Sequence, residues 1–193
     1  MEVNPLAIFQ NWFQQQLSFT KDRIPTACCL STIGLDNFPN ARFVSLKEII
    51  DENFIVTGPL TSRKGREINE NNKVALTFWW TETERQIRIQ GIATPIALEL
   101  ADKYFYERSK DSQIVSIVSN QGQEIRNINE LIDKYNHLDT LVPSTELKRP
   151  ENWGGYAIRP VRIEFLQFQS TRFHNRQLFM LANDKWTEKQ LQP

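Results

Sequence analysis

The stretch TACCLSTIGLDNFPNARFVSLKEIIDENFIVT, residues 26–57, decides the fold class. Thr26 to Ile33 is a compact apolar run of strand length, and Gly34 to Asn40 supplies the Gly, Asp, Asn and Pro of a turn. Ala41 to Ile50 and Phe54 to Thr57 read as two further strands about the turn residues Asp51, Glu52 and Asn53. Three strands joined by short polar connections make an antiparallel meander, because parallel neighbours need long crossovers. Outward from this core, Val74 to Trp80 and Arg85 to Ile96 form a second pair about the polar residues Thr81 to Glu84. Ile87 and Ile89 point to one face there, and Gln86, Arg88 and Gln90 to the other. Gly91 marks a bulge or a close backbone approach. Tyr156 to Phe168 and Arg172 to Met180 complete the expected strands.

Helices lie between these runs. Asn4 can cap the first, with Pro5 at its opening position and Leu6, Phe9, Phe13 and Leu17 at helical spacing. Thr61 to Asn71 suits a short helix capped by Thr61 or Ser62, and Leu98 to Ser119 a helix in two pieces. Asn129 to Asn136 carries a further helical pattern, while Leu141 to Asn152, with Pro143 and Pro150, reads as a loop. Nothing recurs as a βαβ unit. The expected architecture is one domain over residues 1–193, mainly antiparallel β with attached helices, in which the sheet can close into a barrel. Its N-terminal helix falls in 1–20, and the C-terminal segment 141–193 belongs to the same domain.

Composition narrows the function. Lys and Arg total 23, Asp and Glu total 23, and the formal net charge is zero, so no global field favours nucleic acid or an anionic membrane. Hydrophobic residues make up 40% of 193, enough for a core. No apolar run spans a bilayer, Glu2 stands where a signal peptide wants positive charge, and Cys28 and Cys29 are adjacent. The expectation is a cytoplasmic protein with neither nucleic-acid nor membrane partners. His137 and His174 are distant from each other and offer no metal set with the cysteines. With only 7 glycines and no glycine-rich phosphate loop, Rossmann and Walker sites are disfavoured.

Three polar groups stand out within this frame. Ser62, Arg63 and Lys64 sit at a helix start, near Arg42 and Lys47 on the second strand. Either these charges are solvated, or the helix N-terminus and the cations together bind a phosphate; cations at that end are unfavourable without an anion. Arg42 and Lys47 are five apart, so a regular strand turns them to opposite faces unless it bends or bulges. Tyr104, Arg108 and Ser112 recur every four residues, on one helix face or about a helix start, as a second phosphate site or as an exposed Arg beside a core Tyr. Arg172, His174 and Arg176 alternate along an expected strand, a cationic row that repels itself without an anion or aromatic ligand above it. His174 also brings an imidazole, a side chain suited to proton transfer.

Eight motifs then occur in order: Arg42-Phe-Val-Ser-Leu-Lys47, Ser62-Arg-Lys-Gly-Arg66, Arg85-Gln-Ile-Arg-Ile-Gln-Gly91, Tyr104-Phe-Tyr-Glu-Arg108, Ser112-Gln113, Trp153-Gly-Gly-Tyr156, Ile163-Glu-Phe165 and Arg172-Phe-His-Asn-Arg176. From about residue 22 to the C-terminus the chain resembles the pyridoxamine 5′-phosphate oxidase family, in a divergent branch whose substrates are mostly unproven. The resemblance implies an FMN-binding split β-barrel that forms a homodimer, with FMN in clefts at the interface. It implies cofactor contacts from Arg42, Phe43, Val44, Ser45, Leu46 and Lys47, and from Val56, Thr57, Arg63 and Lys64. Gln86, Gly122, Trp153 and Arg176 complete that set, with Gln121 supplied by the partner subunit. A small phosphorylated pyridine substrate is implied at Lys47, Tyr104, Arg108 and Ser112, with Arg172 and His174 as catalytic residues over its ring. The implied reaction is oxidation of pyridoxamine or pyridoxine 5′-phosphate to pyridoxal 5′-phosphate, with oxygen reduced to hydrogen peroxide. Alternatives are a flavin oxidoreductase for another small substrate, or a non-catalytic FMN or pyridoxal-phosphate binding module. The chain departs from the family pattern at Gly122, Asn175, Val56 and Ser109, where Ser, an acid, Tyr and Pro are usual, and its N-terminal segment is short.

Overall fold

The computed structural model describes residues 4–143 and 146–193. Residues 1–3, and residues 144 and 145 of the expected 141–152 loop, lie outside that description. Eight strands form one antiparallel sheet: β1 (Ala27–Ile33), β2 (Pro39–Ile50), β3 (Asn53–Pro59), β4 (Lys73–Trp80), β5 (Arg85–Pro95), β6 (Trp153–Gln167), β7 (Asn175–Ala182) and β8 (Lys185–Leu191). The order is β3-β2-β1-β4-β5-β6-β7-β8, and β3 also pairs with β6, so the first six strands close into a barrel. The meander of residues 26–57 is β1 to β3, with β1 on β2 from Ala27↔Ser45 to Ile33↔Pro39. Antiparallel closure leaves β7 and β8 as a flap continuing from β6.

Alternation explains the core. Leu30, Leu46, Phe54, Leu76, Phe78, Ile87, Ile89, Ile158, Ile163 and Phe165 fill the barrel interior. Helix α1 (Pro5–Phe19) stoppers one end: Asn4 accepts from the Leu6 N–H, and the fully buried Phe9 packs edge-on against Phe54 and Phe78. Gln16 holds α1 to the β4–β5 turn by donating to Glu82 (2.7 Å) and accepting from Thr83 (2.9 Å). Because β1 and β4 are antiparallel, the β1–β2 turn lies at the other end, where α2 (Arg63–Glu70) sits. Ser62 is its cap, accepting from the Gly65 N–H, and a Cβ at Gly65 falls 1.9 Å from the Leu60 carbonyl oxygen. Only glycine allows α2 to approach that closely. Its Ile68 joins the barrel core.

The register slips at two places. Between Gln90 and Gly91 the register slips because β6 carries an extra residue, Val161, and Gly91 lets the backbones approach: a Cβ there falls 2.6 Å from the Arg159 carbonyl oxygen. Between Leu46 and Ile49, β2 bulges against β3, just after Lys47. The expected 98–119 helix is broken into α3 (Leu98–Tyr106) and α4 (Lys110–Val118), so Tyr104, Arg108 and Ser112 do not share one continuous helix face. α5 (Asn129–Leu141) buries no residue, and His137 on it is exposed. The strand expected from Arg172 begins only at Asn175: Arg172 to His174 form the β6–β7 connection, with Arg172 left-handed at φ 64°. No described helix is long and apolar enough to cross a membrane, and no three described His, Cys, Asp or Glu side chains are grouped to hold a metal.

Candidate active site

A cavity of about 820 Å³ opens on the barrel flank, walled by β2, the end of β3, the start of α2, Arg108, α4, the Gln121–Gly122 turn and Trp153. That volume lies in the range of small-molecule and cofactor sites. Its lining includes Arg42, Lys47, Arg63, Lys64 and Arg108 but neither Asp nor Glu. Among the described residues Lys47 has no hydrogen-bond or ion-pair partner, and Lys64 and Arg108 have no carboxylate partner. Lys64 Nζ donates to Ser62 Oγ (3.1 Å) and Gln121 Oε1 (2.7 Å). Burial, then the nearby Arg42 charge, pulls the Lys64 ammonium down to about 8. Burial, then Arg108, lowers Lys47 as well. Arg108 lies 5.1 Å over the Trp153 ring and donates to Ser116 Oγ (2.6 Å). Desolvated cations facing one another without acids make a site that an anion stabilises.

Arg42 and Lys47 both line this cavity although strand alternation separates them. The Arg42 guanidinium is held at the end of β1, donating to the Leu30 carbonyl (3.3 Å) and Thr32 Oγ1 (2.6 Å), while Lys47 stands beside the β2 bulge. Arg42 and Arg63 also share the buried Glu67, at 2.9 Å each. Arg63 further pairs with Asp36 at 3.0 Å.

A family model described as pyridoxamine 5′-phosphate oxidase matches residues 21–139. The chain belongs to the pyridoxamine 5′-phosphate oxidase family. A second model, for the pyridoxine 5′-phosphate oxidase C-terminal dimerisation region, matches residues 153–193. The pyridoxine/pyridoxamine 5′-phosphate oxidase of Leptospira biflexa is 38% identical over 98% of this chain and 89% of its own. That of Trichormus variabilis is 37% identical over 100% of this chain and 90% of its own. Among solved structures, PhzG from Burkholderia lata, in complex with tetrahydrophenazine-1-carboxylic acid, superposes with a TM-score of 0.93 at 30% identity, covering 98% of this chain and 93% of that one. A pyridoxamine 5′-phosphate oxidase-related, FMN-binding protein from Nostoc punctiforme shares the fold, with a TM-score of 0.81 at 14% identity and full coverage of both chains. The chain is thus an oxidoreductase of the pyridoxamine 5′-phosphate oxidase type on the split-barrel fold.

Within this family frame, one chain gathers only part of the expected site. Arg42, Phe43, Val44, Ser45, Lys47, Thr57, Arg63, Lys64, Arg108, Gln121, Gly122 and Trp153 line the cavity. Within the one chain Gln121 closes the cavity edge by accepting from Lys64. Gly122 sits at φ +84°, a conformation that glycine adopts freely and a serine only with strain. Leu46 and Val56 put their side chains into the barrel core, each 2% exposed and paired with one another, and do not line the cavity. Trp153 is a buried wall, edge-on to Phe105 at 5.3 Å. Tyr104 and Ser112 do not line the cavity: the Tyr104 hydroxyl donates to Glu48 Oε1 (2.6 Å), and Ser112 is tied to Ser109 at 2.9 Å.

Gln86 and Arg176 stand instead on the outer face of β5–β7, both beside Leu166 in register. His174 is in the preceding connection, where its Nδ1 accepts from the Gln169 N–H (3.1 Å). That bond selects the tautomer with the proton on Nε2, so His174 offers a donor outward. Sequence reasoning missed Glu67, Ser116 and Glu48. Glu67 falls four residues after Arg63, a spacing that signals an ion pair but not burial.

Proposed function

We propose that this chain is an FMN-dependent oxidase of pyridoxamine or pyridoxine 5′-phosphate, acting as a homodimer. The acid-free cavity, in which Lys47, Lys64 and Arg108 face space without a carboxylate, carries this reading. Its donor set fits a phosphorylated flavin: Arg42, Arg63, Lys64 and the N-terminus of α2 would hold the FMN phosphate. FMN, when bound, supplies the two-electron acceptor that no side chain provides. At the other end Lys47 and Arg108 would hold the substrate phosphate, a charge that orients the ring and so lowers the entropic part of the barrier. Gln86, Arg176, Arg172 and His174 would reach the cofactor and substrate of the neighbouring subunit, which the matched dimerisation region supports. The Nε2–H of His174 would then orient the amine or alcohol being oxidised, with Arg172 beside it.

A second reading, an oxidase of another small anionic substrate, is favoured by one observation. Tyr104 and Ser112 are engaged by Glu48 and Ser109, leaving two cations at the substrate end. Two cations suffice for a carboxylate, and the Burkholderia lata relative was solved with a carboxylic acid. The test is purification with flavin absorbance, then oxygen uptake on addition of pyridoxine or pyridoxamine 5′-phosphate. Uptake with either supports the first reading. Bound flavin with uptake only on an aromatic carboxylic acid supports the second, and failure to load FMN defeats both.

A further inference from the structure

We propose that Glu67 is a positioning residue for the phosphate end of the cavity, holding Arg42 and Arg63 so that their remaining N–H groups face the anion. This rests on the reading of that end as the FMN phosphate site. The Glu67 side chain has no exposure, because α2 is pressed onto the barrel mouth through Gly65 and Ile68. Its Oε1 accepts from Asn40 Nδ2 (2.6 Å) and Arg63 Nε (2.9 Å). Its Oε2 accepts from Thr32 Oγ1 (2.6 Å) and Arg42 Nη2 (2.9 Å). Two donors on each oxygen fill the usual capacity of a carboxylate, so Glu67 has no lone pair left to act on a substrate. Its chemistry is spent on two guanidiniums from different elements, one on β2 and one on α2, and both line the cavity. Arg63 is half-exposed and its other partner, Asp36, is equally exposed, so without the buried Glu67 its long side chain samples more rotamers, and fixing it then counts against anion binding.

Glu67→Gln separates positioning from its rivals by sign. The variant keeps shape but loses the charge and presents an amide N–H₂ to one neutral donor and one guanidinium, which displaces that guanidinium and weakens the hold on the other. If Glu67 acted only as a competing negative charge, its removal would tighten anion binding. If it only held α2 in place, stability would fall while the preference for phosphorylated flavin stayed. The experiment titrates flavin-stripped protein with FMN and with riboflavin, which lacks the phosphate, by fluorescence quenching. Positioning predicts that the FMN-over-riboflavin preference falls by about tenfold or more, the scale of a lost charge-assisted hydrogen bond, with riboflavin affinity unchanged. A preserved or increased preference overturns it. Thr32→Val removes the hydroxyl that bridges Arg42 and Glu67 while keeping side-chain shape, and is the milder variant should Glu67→Gln not fold. It should lower the same preference about threefold, and an unchanged preference counts against the proposal. Wild-type protein that binds FMN no better than riboflavin would instead overturn the phosphate-site reading itself.

Discussion

Glu67 and Glu164 are both buried carboxylates that each hold two arginines, yet they build different things. Glu67 binds Arg42 and Arg63 together with the neutral donors Thr32 and Asn40. Glu164 lies on β6 between Arg88 on β5 and Arg176 on β7, with Arg176 Nη2 at 2.6 Å. Burial pushes each carboxyl up, but the hydrogen bonds outweigh it, from Thr32, Arg63 and Arg42 on one and from Arg88 and Arg176 on the other, and both end below the usual range. The arginines of Glu67 face a cavity walled by the same chain. Those of Glu164 stand on an open sheet face beside Gln86. Equal electrostatics therefore serve a finished half-site in one place and, on the proposed function, a half-site offered to a neighbour in the other.

The sharpest way to break that comparison is to mix chains. Lys64→Ala damages the cavity half and His174→Ala the open half, so each homodimer should lose most activity. Random reassociation should restore about a quarter of wild-type turnover, because half the dimers are hybrids and each hybrid keeps one intact site. No recovery in the mixture, measured by oxygen uptake, would place both halves in one subunit. On the cavity side alone, Lys64→Met should weaken FMN by roughly 1.5–3 kcal/mol, measured by titration. The same variant should melt at a higher temperature without flavin, because at neutral pH the native state bears the cost of burying a protonated Lys64.

FMN affinity should fall about tenfold per pH unit above the Lys64 value of about 8, since the anion then binds only with uptake of a proton. Flavin-free wild type should gain stability from that pH toward the ordinary lysine range, because the native state sheds its proton first; Lys64→Met should show neither slope. On the open side, His174→Ala should lower kcat about tenfold at unchanged flavin content, the loss of one orienting donor. The smallest effect belongs to acid. Both glutamates have depressed native pKa values, so their stabilisation is present above the unfolded value of about 4.3 and is lost as pH falls below it. Glu164→Gln should flatten the drop in urea midpoint between about pH 5 and 3, and a wild-type slope in that variant would remove Glu164 from the acid response.

Local rules made much of the barrel legible. The turn at Asp51 and Glu52, the cap at Ser62 and the alternation about Ile87 and Ile89 are set by neighbours within a few positions. Strand β8 escaped because Lys-Trp-Thr-Glu-Lys-Gln-Leu has hardly any apolar face: as the outermost strand it buries little. The start of β7 was misread because Arg172 and His174 alternate with Phe173 like a strand, whereas a left-handed Arg172 turns the chain there. At the site, the cations were visible as composition and the Glu67 anchor was not. Its burial depends on α2 meeting the barrel mouth, a tertiary event that spacing cannot encode.

The seam between β3 and β6 has a consequence for synthesis. Phe54 finds its second neighbour in Ile158, roughly a hundred residues later, so the wall that carries Thr57 is left unzipped until translation nears its end. Until that moment the nascent chain presents a sticky edge to whatever else is in reach, and quick delivery of β6 protects it from aggregation as much as it completes a wall.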